Sequence, residues 1–217
     1  MIRFESVSYT GGNVSLFWGL TFHLPRGGYL VISGPPRWGK TALVQLITGV
    51  VSPEQGEIHV GEVSLQAAVR AARKLRALRL DIGGVGGIYA LITERTVMEN
   101  IALAGELAGL SPRAARKTAL ELCGKYRLAH VARQYPRLIS DVERRAAQIA
   151  RAEAGRRRVL VADAPADGLN ETAAGFIHDR LAALHLAGVT ILYLTSGSGP
   201  QAGPTHRLKL VNGGVTA

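Results

Sequence analysis

One short segment of this sequence combines the residue types that bind phosphate groups. It consists, in order, of Gly34, Pro35, Pro36, Arg37, Trp38, Gly39, Lys40 and Thr41. Glycines let successive backbone N–H groups approach phosphate oxygens, a lysine brings positive charge to the β and γ oxygens, and a threonine hydroxyl is a ligand for Mg²⁺. We therefore predict a nucleotide-phosphate site here. The alternative is a glycine-rich turn that happens to precede a basic residue.

A second chemical group, the carboxylate of Asp163, follows an apolar run at residues 159–162. Such a run is typical of a buried strand in a parallel sheet, which delivers the residue after it to the carboxyl edge. We predict that Asp163 holds Mg²⁺ through water, and the alternative is that it caps the following turn. The next residue is Ala164, where an enzyme that cleaves a nucleotide would be expected to carry a catalytic carboxylate.

The sequence around both groups predicts alternating strands and helices. Tyr29–Ser33 is a short apolar run that leads into Gly34, and apolar residues recur at helical spacing after Thr41. The loop thus precedes a helix N-terminus, where the helix dipole favours phosphate. Residues 189–194 predict a third strand, after an amphipathic helix at Glu171–Leu186. Together these elements predict an α/β domain with a largely parallel sheet.

The remaining segments predict two additions to this core. Helical periodicity at residues 96–110, 112–126 and 142–154, with Ser111 as N-cap and Pro112 in the first turn, predicts an inserted helical subdomain. Strands near residues 2–7, 14–22 and 57–60 predict an antiparallel β layer that precedes and flanks the loop. We expect residues 1–217 to form one domain, with its core at about 1–90 and 155–217 and the helical subdomain at about 91–154.

Composition narrows the class of protein. The single cysteine, Cys123, excludes a disulfide framework and a zinc site built on cysteines, and we expect it to be buried in a helix. The sequence shows no secretory signal and no apolar run long enough to span a membrane, so the cytosol is the expected compartment. The net charge of +10 fits a solvated basic surface, nucleic acid or an anionic membrane.

Two basic segments bear on that choice. Residues 70–79 carry Arg70, Arg73, Lys74, Arg76 and Arg79 among alanines and leucines, which predicts a basic helix, either facing an anionic membrane surface or simply solvated. Residues 156–158 are three arginines that follow a helix, where cations suit the helix C-terminus. No nucleic-acid partner is expected, since aromatic residues make up only 6% of the chain and no base-reading element is apparent.

The whole sequence resembles the ATP-binding cassette (ABC) ATPases, and within them the FtsE group of cell-division ATPases. The resemblance rests on residues 1–5 with 9–12, residues 96–103, residues 149–152 and residues 188–190. It implies a P-loop NTPase fold with a RecA-like parallel-sheet core, an N-terminal antiparallel β layer and a helical insertion. The implied cofactors are ATP and Mg²⁺, and the implied location is peripheral at the inner face of the cell membrane.

The resemblance also assigns roles to residues. It implies that Tyr9 stacks on adenine, that residues 34–41 are the Walker A loop, and that Asp163 is the Walker B aspartate. The signature segment, which meets the ATP of a second ABC domain in a head-to-tail dimer, corresponds to Ser140, Asp141, Val142 and Glu143. Implied partners are an FtsX-like integral membrane subunit, docked near Gly87 and the helical insertion, and a second ABC subunit in a homodimer or heterodimer.

The sequence departs from the family pattern at most positions that act on the γ-phosphate. Gly87 stands where the coupling glutamine is expected, Ala164 replaces the glutamate that polarises water, and Ser196 replaces the switch histidine. Two signature glycines are Asp141 and Val142, the D-loop aspartate is Asn170, and an internal Walker A glycine is Arg37, which either adds a phosphate contact or strains the loop. As substitutes for the missing base, Asp167 is expected on a turn and His206 away from the site.

These departures predict an ABC subunit that binds ATP and Mg²⁺ and hydrolyses ATP weakly or not at all, in cell division or transport. Three alternatives remain: an active ABC ATPase with unusual catalytic groups, a scaffold that binds no nucleotide, and a P-loop kinase. The kinase is the least favoured, because such enzymes usually begin with the P-loop strand and here about thirty residues of predicted β layer precede the loop.

Overall fold

The computed structural model describes residues 1–211 and 213–216. Its strands are, in chain order, β1 (Ile2–Gly11), β2 (Val14–Leu24), β3 (Tyr29–Ser33), β4 (Gln55–Val60), β5 (Val63–Ser64), β6 (Ile82–Gly86), β7 (Val159–Asp163), β8 (Thr190–Thr195), β9 (His206–Val211) and β10 (Gly214–Thr216). Its α-helices are α1 (Lys40–Ile47), α2 (Leu65–Val69), α3 (Ala72–Asp81), α4 (Val97–Leu107), α5 (Pro112–Lys125), α6 (Asp141–Ala154) and α7 (Glu171–Leu186).

The predicted antiparallel layer is a four-stranded sheet in the order β2-β1-β4-β5. Alternate residues of β1 point into the core, as the period of two in its sequence requires. Phe4 on β1 faces Phe22 on β2, and their rings stack with centroids 4.6 Å apart. These side chains pack in one core with the buried face of α1, so the layer flanks the phosphate loop as predicted.

The central sheet has six strands in the order β10-β9-β3-β8-β7-β6. All neighbouring pairs from β9 to β6 are parallel, and β10 runs antiparallel to β9. Every residue of β7 and β8 is buried, which explains their continuous apolar sequence. Ser33 pairs with Thr195 and Asp163 with Leu194, so the loop after β3 and the carboxylate at the end of β7 share one edge of the sheet.

Strand β6 carries no apolar pattern, and sequence reasoning missed it. Its segment is rich in glycine because neighbouring side chains occupy the space beside it. A Cβ atom on Gly83 would lie 2.8 Å from Ala152 and from Arg157, and one on Gly84 would lie 2.1 Å from the ring of Tyr89. Pairing with β7 is therefore what defines this edge strand.

The predicted helical stretch is present between β6 and β7. Its helices begin at clear caps: Thr96 and Glu99 form a capping box on α4, and the Ser111 hydroxyl accepts from the Ala114 N–H on α5. The helix predicted at residues 142–154 is α6. Cys123 is buried in α5 as predicted.

The basic helix predicted at residues 70–79 is present as α3, but its bounds differ and one of its arginines bonds to the neighbouring helix end. Helix α2 ends at Val69 and α3 begins at Ala72, so Arg70 lies in the connection. Arg79 donates from Nε to the Thr48 carbonyl oxygen at 2.8 Å and from Nη2 to that of Gly49 at 3.1 Å. Its guanidinium thus satisfies carbonyls at the end of α1, which a helix terminus leaves without partners. None of the described helices has both the length and the apolar character needed to cross a bilayer.

Candidate nucleotide-binding site

The phosphate loop lies between β3 and α1, as the sequence predicted. Gly39 has a φ of +102°, a conformation that favours glycine, and α1 begins at the next residue, Lys40. The first backbone N–H groups of α1 have no partner within the helix and face the loop. The arrangement is one that binds anionic oxygen atoms.

Trp38 lies beneath this loop rather than on its ligand side. The side chain is buried, and its Nε1 donates to the Thr195 carbonyl oxygen at 2.9 Å. Gly34 packs against the indole, since a Cβ atom there would lie 2.7 Å from the ring. Trp38 and Gly34 therefore tie the loop to β8, while Pro35 and Pro36 are exposed on its outer side.

Arg37, at a position where the resemblance implies a glycine, is exposed and takes a φ of +66°. A non-glycine residue in the left-handed region costs about 1–2 kcal/mol. The arginine is one of the residues lining the groove beside the loop, so the strain is located at the candidate site.

We predict that Arg37→Gly raises the melting temperature. Relief of strain exceeds the entropy that glycine adds to the unfolded chain, for a net gain of about 0.5–1 kcal/mol and a shift of roughly 1–4 °C. Differential scanning calorimetry measures this shift. The matched control, Arg116→Gly within the exposed face of α5, should lower the melting temperature. A decrease for Arg37→Gly would show that the guanidinium stabilises the loop.

Two opposite charges meet at the carboxyl edge. Lys40 Nζ donates to Ser196 Oγ at 2.5 Å, and the buried carboxylate of Asp163 ends β7 close by. Burial raises the pKa of Asp163 above its usual value; the charge of Lys40 opposes this shift and that of Asp167 adds to it. A raised pKa means that the ionised carboxylate costs free energy in the folded protein, and a bound cation would offset this cost.

A groove of about 530 Å³ joins the loop to the antiparallel layer. It is lined by Tyr9, Gly11, Leu16, Arg37, Gly39, Lys40, Thr41, Ala42 and Gln45. The fold thus brings Tyr9 to the phosphate loop from about thirty residues away, and it leaves Thr41 exposed at the start of α1. An aromatic ring, an ammonium and backbone N–H groups along one groove fit an adenine nucleotide. The Thr41 hydroxyl and the carboxylate of Asp163, at the same edge of the sheet, are oxygen ligands of the kind that Mg²⁺ takes.

Gly87 touches the Asp163 carboxylate. Its φ is +47°, and a Cβ atom on it would lie 2.1 Å from Asp163 Oδ2. Gly86, the last residue of β6, lies equally close to the backbone of Asp163, since a Cβ atom on Gly86 would lie 1.9 Å from the Asp163 carbonyl oxygen. No side chain fits at either position in this arrangement.

Comparison with known proteins agrees with this geometry. The family profile described as ABC transporter matches residues 17–167. The chain is 32% identical over 197 residues to the cell division ATP-binding protein FtsE of Haemophilus influenzae, a match that covers 90% of this chain and 89% of that protein. The chain belongs to the ABC transporter family.

Two further comparisons show similarity in sequence and in fold to other ABC proteins. The methionine import ATP-binding protein MetN of Thermobifida fusca is 34% identical over 186 residues, covering 85% of this chain but 57% of MetN. A dimeric, post-hydrolysis structure of the ATP-binding cassette MJ0796 bound to ADP and Pi superposes with a TM-score of 0.88 at 24% identity, covering 100% of this chain and 97% of that one. The fold is therefore that of an ABC ATPase, a family that binds ATP with Mg²⁺.

Ala164, for which the resemblance implies a catalytic glutamate, offers only its backbone for polar contacts. It takes a φ of +51°, its N–H donates to the Leu194 carbonyl oxygen at 2.9 Å, and its own carbonyl oxygen accepts from Arg145 Nη1 at 2.9 Å. Asp167 lies on the turn after Ala164, exposed, with one carboxylate oxygen 3.5 Å from Thr195 Oγ1. His206 pairs with Leu30, at the opposite end of β3 from the phosphate loop.

Residues 140–143, which the resemblance implies are the signature segment, form the start of helix α6. Ser140 is the N-cap of α6 and forms a capping box with Glu143, whose pKa is held below its usual value chiefly by the Ser140 hydroxyl. Asp141 is exposed and forms an ion pair with Arg144, and Val142 is half-buried against the core. The capping box therefore gives a structural reason for Ser140 and Glu143, the two residues that match the signature pattern implied by the resemblance.

Asn170, at the D-loop aspartate position, also caps a helix. Its Oδ1 accepts from the Ala173 N–H at 2.9 Å at the start of α7. Asparagine and aspartate are comparable N-caps, so this substitution preserves the helix start.

Sequence reasoning missed Gln148 and Tyr89. Buried Gln148 on α6 accepts from the Gly86 N–H at 3.0 Å and donates to the Tyr89 carbonyl oxygen at 3.0 Å, which fixes the segment that carries Gly87. The Tyr89 hydroxyl is buried and has no hydrogen-bond partner among the residues that the structure describes, and burial together with the charge of Asp163 raises its pKa. The sequence did contain a signal for Gln148, because a glutamine on the otherwise apolar face of α6 needs hydrogen-bond partners.

Proposed function

We propose that this chain is an FtsE-like ABC nucleotide-binding subunit that binds ATP with Mg²⁺ and hydrolyses it weakly or not at all. One observation carries the proposal. Lys40 and Thr41, which would hold the nucleotide, line one groove, and Asp163 lies at the same edge of the sheet. At Gly87, Ala164 and Ser196, where the resemblance implies a glutamine, a glutamate and a histidine, the chain carries no amide, carboxylate or imidazole.

The rate losses expected from the missing catalytic groups favour ATP binding without ATP hydrolysis. Catalysis of phosphoryl transfer comes almost wholly from positioning and charge stabilisation. Loss of one general base costs roughly 10²- to 10⁴-fold in rate, and this chain also lacks the glutamine and histidine of its relatives. A subunit that keeps its ATP-binding groups but has lost several catalytic groups would still bind ATP. Its ATP-driven step would then be the binding of ATP and the closure of the dimer, without hydrolysis.

The contact between Gly87 and Asp163 supports the same conclusion. In an active ATPase of this family the coupling side chain would need the space that the Asp163 carboxylate fills here. Gly87→Gln alone would therefore require the Asp163 carboxylate or the end of β6 to move. This feature disfavours the alternative of an active enzyme with displaced groups, as does the remote position of His206.

The proposal includes the partners that the resemblance implies. We propose an FtsX-like integral membrane subunit bound near Gly87 and the helical segment, a second ABC subunit of the same or another kind, and a position at the inner face of the cell membrane. Residues 1–217 would act as one domain. The process served, cell division or transport, follows the functions named for FtsE and MetN.

We predict no ATP turnover above background. Steady-state phosphate release by the purified protein with Mg²⁺ and ATP should match that of Lys40→Ala, which lacks the phosphate-binding ammonium and reports contaminating ATPase. Assays with an FtsX-like subunit in vesicles should give the same result. Robust release that depends on Lys40 would establish the active alternative.

Nucleotide affinity separates the remaining alternatives. Titration with a fluorescent ATP analogue should show binding that tightens with Mg²⁺, since Asp163 and Thr41 are placed to hold the ion. Absence of binding under both conditions would leave the scaffold as the explanation.

A further inference from the structure

A large basic groove lies at the opposite end of the parallel sheet from the phosphate loop. Its volume is about 1200 Å³, and its walls are the β2–β3 and β4–β5 turns, α3 and the segments that precede β7 and β8. These segments mark the amino ends of the strands, whereas the candidate nucleotide site is at the carboxyl ends. With a rise of about 3.3 Å per residue, the length of β7 separates the two regions by roughly 15 Å.

The charge of this basic groove is strongly positive. Five cationic side chains line it against the carboxylates of Glu62 and Asp81; the cations are Arg26, Lys74, Arg156, Arg157 and Arg158. Arg158 pairs with Asp81, and Arg157 donates to the Leu80 carbonyl oxygen.

The other three cations are free. The side chains of Arg26, Lys74 and Arg156 are exposed and make no ion pair or hydrogen bond within residues 1–211 and 213–216. They lie on three separate elements of the groove wall. These three side chains are therefore available to pair with an anionic ligand in the groove.

The fold builds the basic groove from two basic segments that are far apart in sequence. Helix α3 turns one face into it, with Lys74, Ala77, Leu78 and Asp81 at the i, i+3, i+4 and i+7 spacing of a helix face. The three arginines before β7 form the facing wall. Arg156 has a φ of +50°, so it occupies this place despite a strained backbone.

The shape and lining favour a protein segment over other anions. A bilayer surface is too flat to reach the floor of a concave groove, and no aromatic side chain lines it for stacking on nucleic-acid bases. Its lining includes Val60, Val63, Leu78 and Val189, which suit apolar residues interspersed with acidic ones. Strand β5, at the edge of its sheet, offers backbone groups to an extended chain.

We propose that the basic groove binds an extended acidic segment of a partner protein, in which glutamates or aspartates alternate with apolar residues. The cations of α3 and of residues 156–158 pair with its carboxylates, and the valine and leucine side chains hold its apolar residues. The site is separate from the nucleotide groove and does not depend on nucleotide binding.

The test uses fluorescence anisotropy with a labelled twelve-residue peptide of alternating glutamate and leucine. We expect saturable binding that weakens as salt rises from 50 to 300 mM. The triple variant Arg26→Glu, Lys74→Glu, Arg156→Glu should bind at least about tenfold more weakly, since three favourable contacts become repulsive. The control Arg113→Glu, Lys117→Glu, Arg133→Glu reverses three exposed cations elsewhere and should bind like the parent protein.

Several results would overturn the proposal. Equal loss in both triple variants would mean non-specific attraction to a basic protein, and absence of peptide binding would mean that the groove has no such function. Tighter, groove-dependent binding of phosphatidylglycerol vesicles or of a single-stranded oligonucleotide would identify another class of ligand. Circular dichroism of both variants confirms that the comparison is made between folded proteins.

Discussion

Lys40→Ala is expected to reduce ATP affinity by about 100- to 1000-fold. The ammonium of Lys40 is the one cationic group at the start of α1, and hydrogen bonds to charged groups contribute roughly 1.5–3 kcal/mol each. A 100- to 1000-fold loss corresponds to about 2.8–4.2 kcal/mol, at about 1.4 kcal/mol per tenfold, which lies within the roughly 1.5–6 kcal/mol that one or two such bonds contribute. Isothermal titration calorimetry with a non-hydrolysable ATP analogue and Mg²⁺ measures it.

The controls for this prediction exploit the contact between Lys40 and Ser196. Ser196→Ala removes the 2.5 Å hydrogen bond while keeping the ammonium, and we expect ATP affinity to stay within about threefold of the parent value. Lys117→Ala, a lysine on the exposed face of α5, should have no effect. Undiminished binding by Lys40→Ala would show that the loop does not hold the phosphates.

Reversing the charge of Arg37 or of Asp141 is expected to weaken dimerisation by about 100-fold. Both residues are exposed, they have opposite charges, and they replace glycines in the two segments that meet in the head-to-tail dimer implied by the resemblance. In a twofold dimer, a contact between Arg37 and the second copy's Asp141 occurs twice. A loss of about 1.4 kcal/mol at each contact gives the expected factor.

Charge exchange distinguishes this contact from effects within one chain. Arg37→Asp or Asp141→Arg alone places like charges opposite each other at both contacts, and aspartate tolerates the left-handed backbone at position 37. A mixture of the two single variants, or the double variant, restores opposite charges at both. Sedimentation velocity with Mg²⁺ and ATP should therefore show dimers for the parent, the mixture and the double variant. Failure of the mixture to recover would exclude the contact.

Much of the fold was predictable because its signals are local. The apolar run before Gly34 and the helical spacing after Thr41 placed the phosphate loop between β3 and α1. The helix predicted at Glu171–Leu186 has those bounds in the structure, because Asn170 caps its start and its periodicity continues to its end. Each of these elements is specified by residues adjacent in sequence.

The features that sequence reasoning missed depend on contacts between distant segments. Strand β6 has glycines where Ala152, Arg157 and Tyr89 fill the space, so it shows no side-chain period. Trp38 looked like part of the ligand surface, yet its indole lies under the loop and bonds to Thr195. Nothing near Trp38 in sequence indicates which way its ring points.

The sequence by itself determined which chemical groups the chain has and lacks: a lysine in a glycine-rich loop, an aspartate after a buried strand, and alanine and glycine where the resemblance implies catalytic side chains. Only the tertiary structure decided which of them meet. The order of the parallel strands brings Lys40, Asp163 and Ser196 to one edge, sets Gly87 against the carboxylate, and gathers two basic segments at the other edge. Strand order follows from the packing of the whole core, which no local stretch of sequence specifies.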